Sequence, residues 1–323
     1  MGEMVSLEEI KVAANYLKSK VIRTPCLFSP ALTERAGVDI YLKLENFQLT
    51  GAFKVRGNLN KMRMLSDKER EKGVVTASTG NHGQGMALAA RFAGIPAVVV
   101  VPEVAPRTKI EAIRYNGGEV IIFGRTYDDA YERAMCLATE RKMTYIPSFD
   151  DEFIIAGQGT IGLEIMEDLP IVGKILCPVG GGGLISGVSI AVKALCPNVQ
   201  IIGIQSERAA SMVNSLEASQ ILELSEASTI ADGIAVRKPG RKTYEIVKRT
   251  VDGTILVSDL EIKDAIRFMA TACKVIVEGA GATPIASLLS GKFKNAFGDD
   301  GPVVCVVSGG NIDRTLLTDI LCY

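Results

Sequence analysis

KILCPVGGGGLISGVSIAV, residues 174–192, is an apolar β-rich run followed by four consecutive glycines and then a segment of helical period. A strand that turns into a helix through glycines is the unit from which mostly parallel sheets with helices on both faces are built. The same alternation continues on either side. GVVTAS (73–78), AVVVV (97–101), EVIIF (119–123), KILCPV (174–179), VQIIGIQ (199–205), TILVS (254–258) and PVVCVVS (302–308) are expected strands. The intervening helices carry end signals: Pro106 at a first turn, Asn116-Gly117 as a stop, and Ser258 with Glu261 as a capping box opening 259–272. The expected fold class is α/β, doubly wound.

Upstream, a helix over about 7–18 leads into the proline-punctuated RTPCLFSPALTERAG and a short strand, IYLKLE. No Gly-Ser linker or composition break divides the chain. Two α/β lobes are therefore expected to interleave, with a boundary near 149 in the short connection PSFDD. Only NIDRTLLTDILCY follows the last strand, so no C-terminal regulatory domain is expected.

With 323 residues, 47% of them hydrophobic and 23% charged, the chain can build well-covered cores and lies far from the composition of disorder. Thirty-six basic against 37 acidic residues leave a net charge of -1, which gives no field to recruit nucleic acid. No apolar run is long enough to span a bilayer and no leader pattern opens the sequence, so a cytoplasmic protein without a membrane partner is expected. Seven scattered cysteines, never spaced C-x-x-C, predict reduced and mostly buried thiols. His82 is the single histidine, which excludes multi-histidine metal cages and leaves catalysis to another engine.

Three loops supply one. In VGGGGLISG (179–187), backbone N–H groups without Cβ obstruction can converge on an anion at a helix N-terminus. A phosphate suits it, although neither the Walker pattern nor G-x-G-x-x-G is present there. A true G-x-G-x-x-G at Gly157, Gly159 and Gly162 lacks its acidic partner and is expected to serve helix packing. ASTGNHGQG (77–85) offers Ser78, Thr79, Asn81 and backbone amides, a set suited to a carboxylate. LTGAFKVRG (49–57) sets Lys54 among small residues and beside an aromatic. A lysine able to form a Schiff base, a phosphate nest and a carboxylate loop are the parts needed to hold pyridoxal 5'-phosphate and an amino acid.

GAFKVRG, ASTGNHGQG, IAGQGTIGLEI, PVGGGGLISG, IADGIAV, VEGAGA and VVSGGNID follow one another along nearly the whole chain. By these motifs the chain resembles the fold-type II pyridoxal-phosphate enzymes of the threonine dehydratase and serine racemase family, nearest to the short catabolic-type threonine dehydratases (threonine ammonia-lyases). The resemblance implies a tryptophan synthase β-like fold with the cofactor between two lobes: a large domain of 1–68 and 149–323, and a small inserted domain of 69–148. It implies that Lys54 carries the cofactor aldehyde, with Phe53 near the ring, Asn81 on the ring hydroxyl and Ser308 facing the pyridine nitrogen. Gly180, Gly181, Gly182 and Gly183 with the amide of Leu184 would cradle the phosphate, and Gly233 and Glu278 would line the remaining edge. Ser78, Thr79, Gly80, Asn81 and His82 would form the substrate side.

The expected activity is β-elimination from L-threonine or L-serine, with Lys54 as the base at Cα. A hydroxyl at Ser308, unlike a carboxylate, does not favour a pyridinium, which favours loss of the β-substituent over transamination. Thr79 stands where racemases of this family have a serine and many dehydratases an alanine, so minor racemisation at most is expected. At the places where racemase-like members bind a divalent ion stand Gln205 and Ser211, with Glu207 offset, and no metal site is expected. Ala52 replaces a frequent serine. Serine racemase and a catalytically silent cofactor binder are the competing readings. The K-x-R-G run beginning at Lys54 argues against a β-replacement synthase. Relatives form dimers and tetramers, so a homo-oligomer is expected, and a nucleotide effector stays open.

Overall fold

The computed structural model describes residues 5–298 and 301–322. Ten strands form two sheets: β1 (Cys26–Phe28), β2 (Ile40–Leu44), β3 (Val74–Ala77), β4 (Ala97–Val101), β5 (Glu119–Ile122), β6 (Thr144–Tyr145), β7 (Lys174–Pro178), β8 (Gln200–Ser206), β9 (Gly253–Val257) and β10 (Val303–Val307). The six-stranded sheet has the order β1-β2-β10-β7-β8-β9 and is parallel except for the antiparallel edge pair β1-β2. The four-stranded sheet, β5-β4-β3-β6, is wholly parallel. All seven strands read from apolar runs are present, as is IYLKLE. β1 and β6, of three and two residues, are not among the strands expected from the sequence.

Side-chain alternation assigns each face. On β10, Val303, Cys305 and Val307 join one core with Ile285 and Ile266, while Val304 and Val306 join another with Ile161, Val188 and Val247. On β4, Val99 and Val101 pack with Met86 and Ile113, and Val98 and Val100 with Ala130, Ala134 and Leu137. Helices therefore cover both faces of both sheets, so the inner strands β3, β4, β7 and β10 are buried along their whole length.

Helix ends follow the local signals. The Ser258–Glu261 capping box opens Asp259–Phe268, where the regular helix stops; Met269–Cys273 continues as a π-turn, so the expected helix to 272 changes register at its end. Pro106 is the N-cap of Arg107–Tyr115, and Asn116 is its C-cap, followed by Gly117 at φ +98°. Within the helix Glu152–Asp168, Cβ atoms at Gly157 and Gly162 would come within 2.5 Å of Gly57 Cα and 2.8 Å of the Val188 carbonyl. The G-x-G-x-x-G is thus a close helix contact.

All seven cysteines are free thiols, but only Cys177 and Cys305 are fully buried; Cys136 and Cys322 are exposed, which corrects the expectation of mostly buried thiols. Their segments, a helix face and the last helix, are amphipathic rather than core.

Candidate active site

Both sheets contribute to a cavity of about 700 Å³. Its walls come from the C-terminal ends of β3, β7 and β10 and the turns that follow them, where parallel α/β sheets bind ligands. The sequence-singled residues Phe53, Lys54, Ser78 to His82, Gly180 to Leu184, Gly233, Glu278 and Ser308 all line it.

Lys54 opens the helix Lys54–Met62. Its Nζ donates to the Ser148 carbonyl at 2.9 Å and sits 5.2 Å from the centroid of the Phe53 ring. Burial disfavours its charged form and lowers the amine to about 8, against the opposing pull of Glu278. Two residues on, Arg56 is fully buried and holds Glu45 through Nε and Nη2, both at 2.8 Å, and Glu164 through Nη1 at 2.6 Å. Lys43 Nζ reaches the same Glu164 at 2.6 Å. This inner network ties the lysine's helix to β2 and to the Glu152–Asp168 helix, and Gly57 lets the two helices close, which gives the K-x-R-G run a packing reason.

The tetraglycine turn precedes the helix Gly183–Leu195. It is sealed from behind: a Cβ on Gly181 would lie 2.3 Å from the Phe149 ring, and one on Gly183 2.9 Å from Phe149 Cβ. Gly182 sits at φ +95°, a left-handed conformation that side chains resist. The N–H groups of Gly180 to Leu184 donate to no acceptor among the described residues. Orphaned amides at a helix N-terminus form an anion nest, which fits a phosphate ester.

The Ser78–His82 loop is more committed to itself than its sequence suggests. Ser78 Oγ accepts from the N–H of Gly80 at 3.3 Å and of Gly83 at 3.1 Å, capping the helix Asn81–Ala93 and leaving only its O–H to give. His82 is committed further. Its ring is buried, with Nε2 3.1 Å from the Ile146 carbonyl and Nδ1 3.4 Å from Asn58 Nδ2, so both nitrogens are engaged by protein. Only its backbone N–H remains for a carboxylate. Burial, helped by the Lys54 charge, holds the imidazole down at about 3 and hence neutral.

Asn81 Nδ2 donates to Glu278 Oε1 at 2.7 Å, and its Oδ1 accepts from Asn311 Nδ2 at 2.8 Å. One Asn81 amide hydrogen is left for a ligand. Burial, with a smaller contribution from the charge of Asp232, raises Glu278 to about 7. The Ser308 side chain faces the cavity from the end of β10, and its carbonyl accepts from the Phe53 N–H at 3.1 Å.

Asn311, Ser148, Phe149 and Asn58 escaped the sequence reading. Asn311 lies in the conspicuous VVSGGNID run; Ser148 and Phe149 sat in a connection read only as a boundary. At the mouth, two ion pairs cross from one sheet unit to the long connection after β8: Lys109 with Asp232, and Arg237 Nη1 with Asp128 at 2.9 Å. Asp232 lies in the quoted IADGIAV run, whereas Lys109, Asp128 and Arg237 lie in no quoted motif. Gln205 and Ser211 are spent elsewhere, on the Val213 N–H at 3.1 Å and the Val236 carbonyl at 2.7 Å. Among the described residues no group of three or more His, Cys, Asp or Glu is placed to hold a metal. Nor is any described helix long and apolar enough to cross a membrane.

Residues 17–309 match the family model described as pyridoxal-phosphate dependent enzyme. The chain is 48% identical over 319 residues to the L-threonine ammonia-lyase of Thermotoga maritima, covering 98% of this chain and 78% of the relative. It is 44% identical over 321 residues to the catabolic L-threonine dehydratase TdcB of Staphylococcus aureus, covering 99% and 93%. Among solved structures, maize serine racemase superposes with a TM-score of 0.94 at 35% identity, covering 98% of this chain and 97% of that one. The amide nest, a lysine of lowered basicity and the Ser308 hydroxyl in one cavity fit the cofactor that the family model names. The chain belongs to the pyridoxal-phosphate dependent enzyme family and has the fold of its fold-type II members.

Proposed function

We propose that this chain is a pyridoxal-phosphate dependent L-threonine and L-serine dehydratase, converting its substrates to 2-oxobutyrate or pyruvate and ammonia by β-elimination. The observation that carries the reading is the convergence of Lys54, the Gly180–Leu184 amides, the Thr79–His82 backbone and Ser308 on one cavity. Near-full-length similarity to an L-threonine ammonia-lyase selects the reaction within the family.

Bound pyridoxal phosphate supplies a conjugated, electron-withdrawing ring that acidifies the Cα–H of an amino acid. The chain's residues do the rest. The amides of Gly180 to Leu184 hold the phosphate, Phe53 and Gly233 bound the ring, and Ser308 gives a neutral hydroxyl to its nitrogen. Asn81, braced by Glu278 and Asn311, keeps one amide hydrogen for the ring hydroxyl. Thr79, Gly80 and the His82 N–H receive the substrate carboxylate, with the O–H of Ser78 behind them. Lys54 Nζ, of lowered basicity, is neutral often enough near pH 8 to take the Cα proton.

The test is direct. Purified protein given L-threonine should release 2-oxobutyrate, and borohydride treatment of the holoenzyme should tag Lys54 on peptide mapping. Fully loaded protein that yields no oxo acid would leave a cofactor binder instead. A serine racemase reading rests on one feature, the Thr79 side chain in the cavity wall; D-serine formed from L-serine as fast as pyruvate would favour it.

We further place the small domain at 69–148, inserted into a large domain of 1–68 and 149–323. Supporting it, β3 to β6 pair only with one another among the described strands. A cytoplasmic, catabolic homo-oligomer completes the reading, supported by the exposed apolar side chains of Leu27, Phe28 and Phe47 and by the similarity to TdcB. Nucleotide response is to be assayed with AMP and CMP.

A further inference from the structure

We infer that His82 is a positioning residue for Lys54, tying the lysine's helix to the segment that receives its amine, rather than a side-chain ligand of the substrate. The inference rests on the lysine chemistry proposed above for this cavity.

The Ile146 carbonyl can only accept, so His82 Nε2, 3.1 Å away, carries the hydrogen, and Nδ1 is left as an acceptor for Asn58 Nδ2 at 3.4 Å. The same Asn58 Nδ2 donates to the Lys54 carbonyl at 2.8 Å, one helical turn back. Two residues beyond Ile146, the Ser148 carbonyl accepts from Lys54 Nζ at 2.9 Å. One closed path therefore runs from the lysine amine through residues 148 and 146 to the imidazole, and back through Asn58 to the lysine backbone. Both ends of the Lys54 side chain are fixed by this path, and His82 closes it on the side of the cavity; Lys61 with Asp151 at 2.6 Å and Asn60 with the Phe153 carbonyl at 2.7 Å tie the same helix to the chain further on.

Packing supports the same role. Gly85, one turn after His82, brings its helix so close that an added Cβ would lie 3.0 Å from the Val55 nitrogen and 3.2 Å from Asn58 Nδ2. The imidazole is neutral because burial holds its pKa far down, so it keeps one tautomer across the working range and acts as a strut rather than a proton carrier.

The experiment compares His82→Leu, which removes both arms, with His82→Gln, which keeps a donor for the Ile146 carbonyl. Two quantities are read: kcat and KM for L-threonine, and the rate at which apoenzyme captures added pyridoxal phosphate. For His82→Leu we expect kcat to fall about 10²-fold, the scale of a misplaced catalytic group, with KM held within about twofold. Capture by its apoenzyme should slow, and His82→Gln should recover most of both. A KM raised about tenfold with kcat retained would assign the ring to the carboxylate and overturn the inference. So would a folded His82→Leu with wild-type kcat and capture. If His82→Leu does not fold, Asn58→Ala decides: it cuts one arm, and an unchanged kcat and capture rate would equally overturn the inference. Wild-type holoenzyme that forms no 2-oxo acid would defeat the lyase reading, while the capture rates would still judge His82.

Discussion

Replacing Gly182 by alanine tests whether the tetraglycine turn is the phosphate cradle. At φ +95° the residue lies where a Cβ is opposed by its own backbone, which costs about 1–2 kcal/mol. The added methyl would also meet Met212 Cε at 2.7 Å, Thr243 Cβ at 2.8 Å and Thr243 Oγ1 at 3.0 Å. The methionine tip can swing aside. Thr243 cannot move freely, because its Oγ1 donates to the Gly181 carbonyl at 2.6 Å; breaking that bond costs about 1 kcal/mol more. The sum, about 2–3 kcal/mol, appears in one of two places. If the turn holds, stability falls by that amount; if it relaxes, the converging amides separate and apoenzyme affinity for pyridoxal phosphate falls about 30- to 150-fold. Titration of apoenzyme with the cofactor, paired with urea denaturation, reads both. Gly94→Ala is the control: φ is +67° but no atom lies within 4 Å of its added Cβ, and it sits at the far end of its helix. That variant should lose only the backbone contribution and bind cofactor normally. A Gly182→Ala protein no less stable than Gly94→Ala, and binding within about twofold of wild type, would refute the cradle.

Arg56→Met strands the buried Glu45 carboxylate and leaves Glu164 with Lys43 alone, so stability should fall by about 3–5 kcal/mol in denaturant titration; a loss below about 1 kcal/mol would show the network to be weakly coupled. Arg56→Lys should not rescue it, because one ammonium cannot reproduce a fork that serves two carboxylates. Cofactor capture by apoenzyme needs the neutral Lys54 amine, so its rate should rise about tenfold per pH unit below about 8 and level off above; a rate still climbing steeply to pH 10 would mean an ordinary lysine. Thr79→Ala should leave 2-oxobutyrate formation within about threefold of wild type and abolish any D-serine formed from L-serine, measured by chiral chromatography. Loss of elimination in that variant would instead make Thr79 part of the lyase machinery.

The β7-to-helix stretch 174–192 behaves as its residues dictate because its information is local. A strand apolar on both faces, four residues without Cβ and an uninterrupted helical segment leave little choice of conformation. Capping boxes such as Ser258–Glu261 are local in the same sense. β1 and β6 were illegible because two or three residues cannot display an alternation; pairing makes them strands, β1 with the next strand β2 and β6 with the distant β3.

The site divides in the same way. Residue types alone marked Lys54, the glycines and the Asn81 loop as chemically equipped. They could not reveal that Lys54 Nζ meets a carbonyl 94 residues away, that Asn81 is braced by a carboxylate 197 residues away, or that both nitrogens of His82 are already taken. Equipment is a property of side chains. Partnership is a property of distance, and in this chain the distances are set by two sheets whose helices close over one cavity, burying some groups against protein and leaving others open to a ligand.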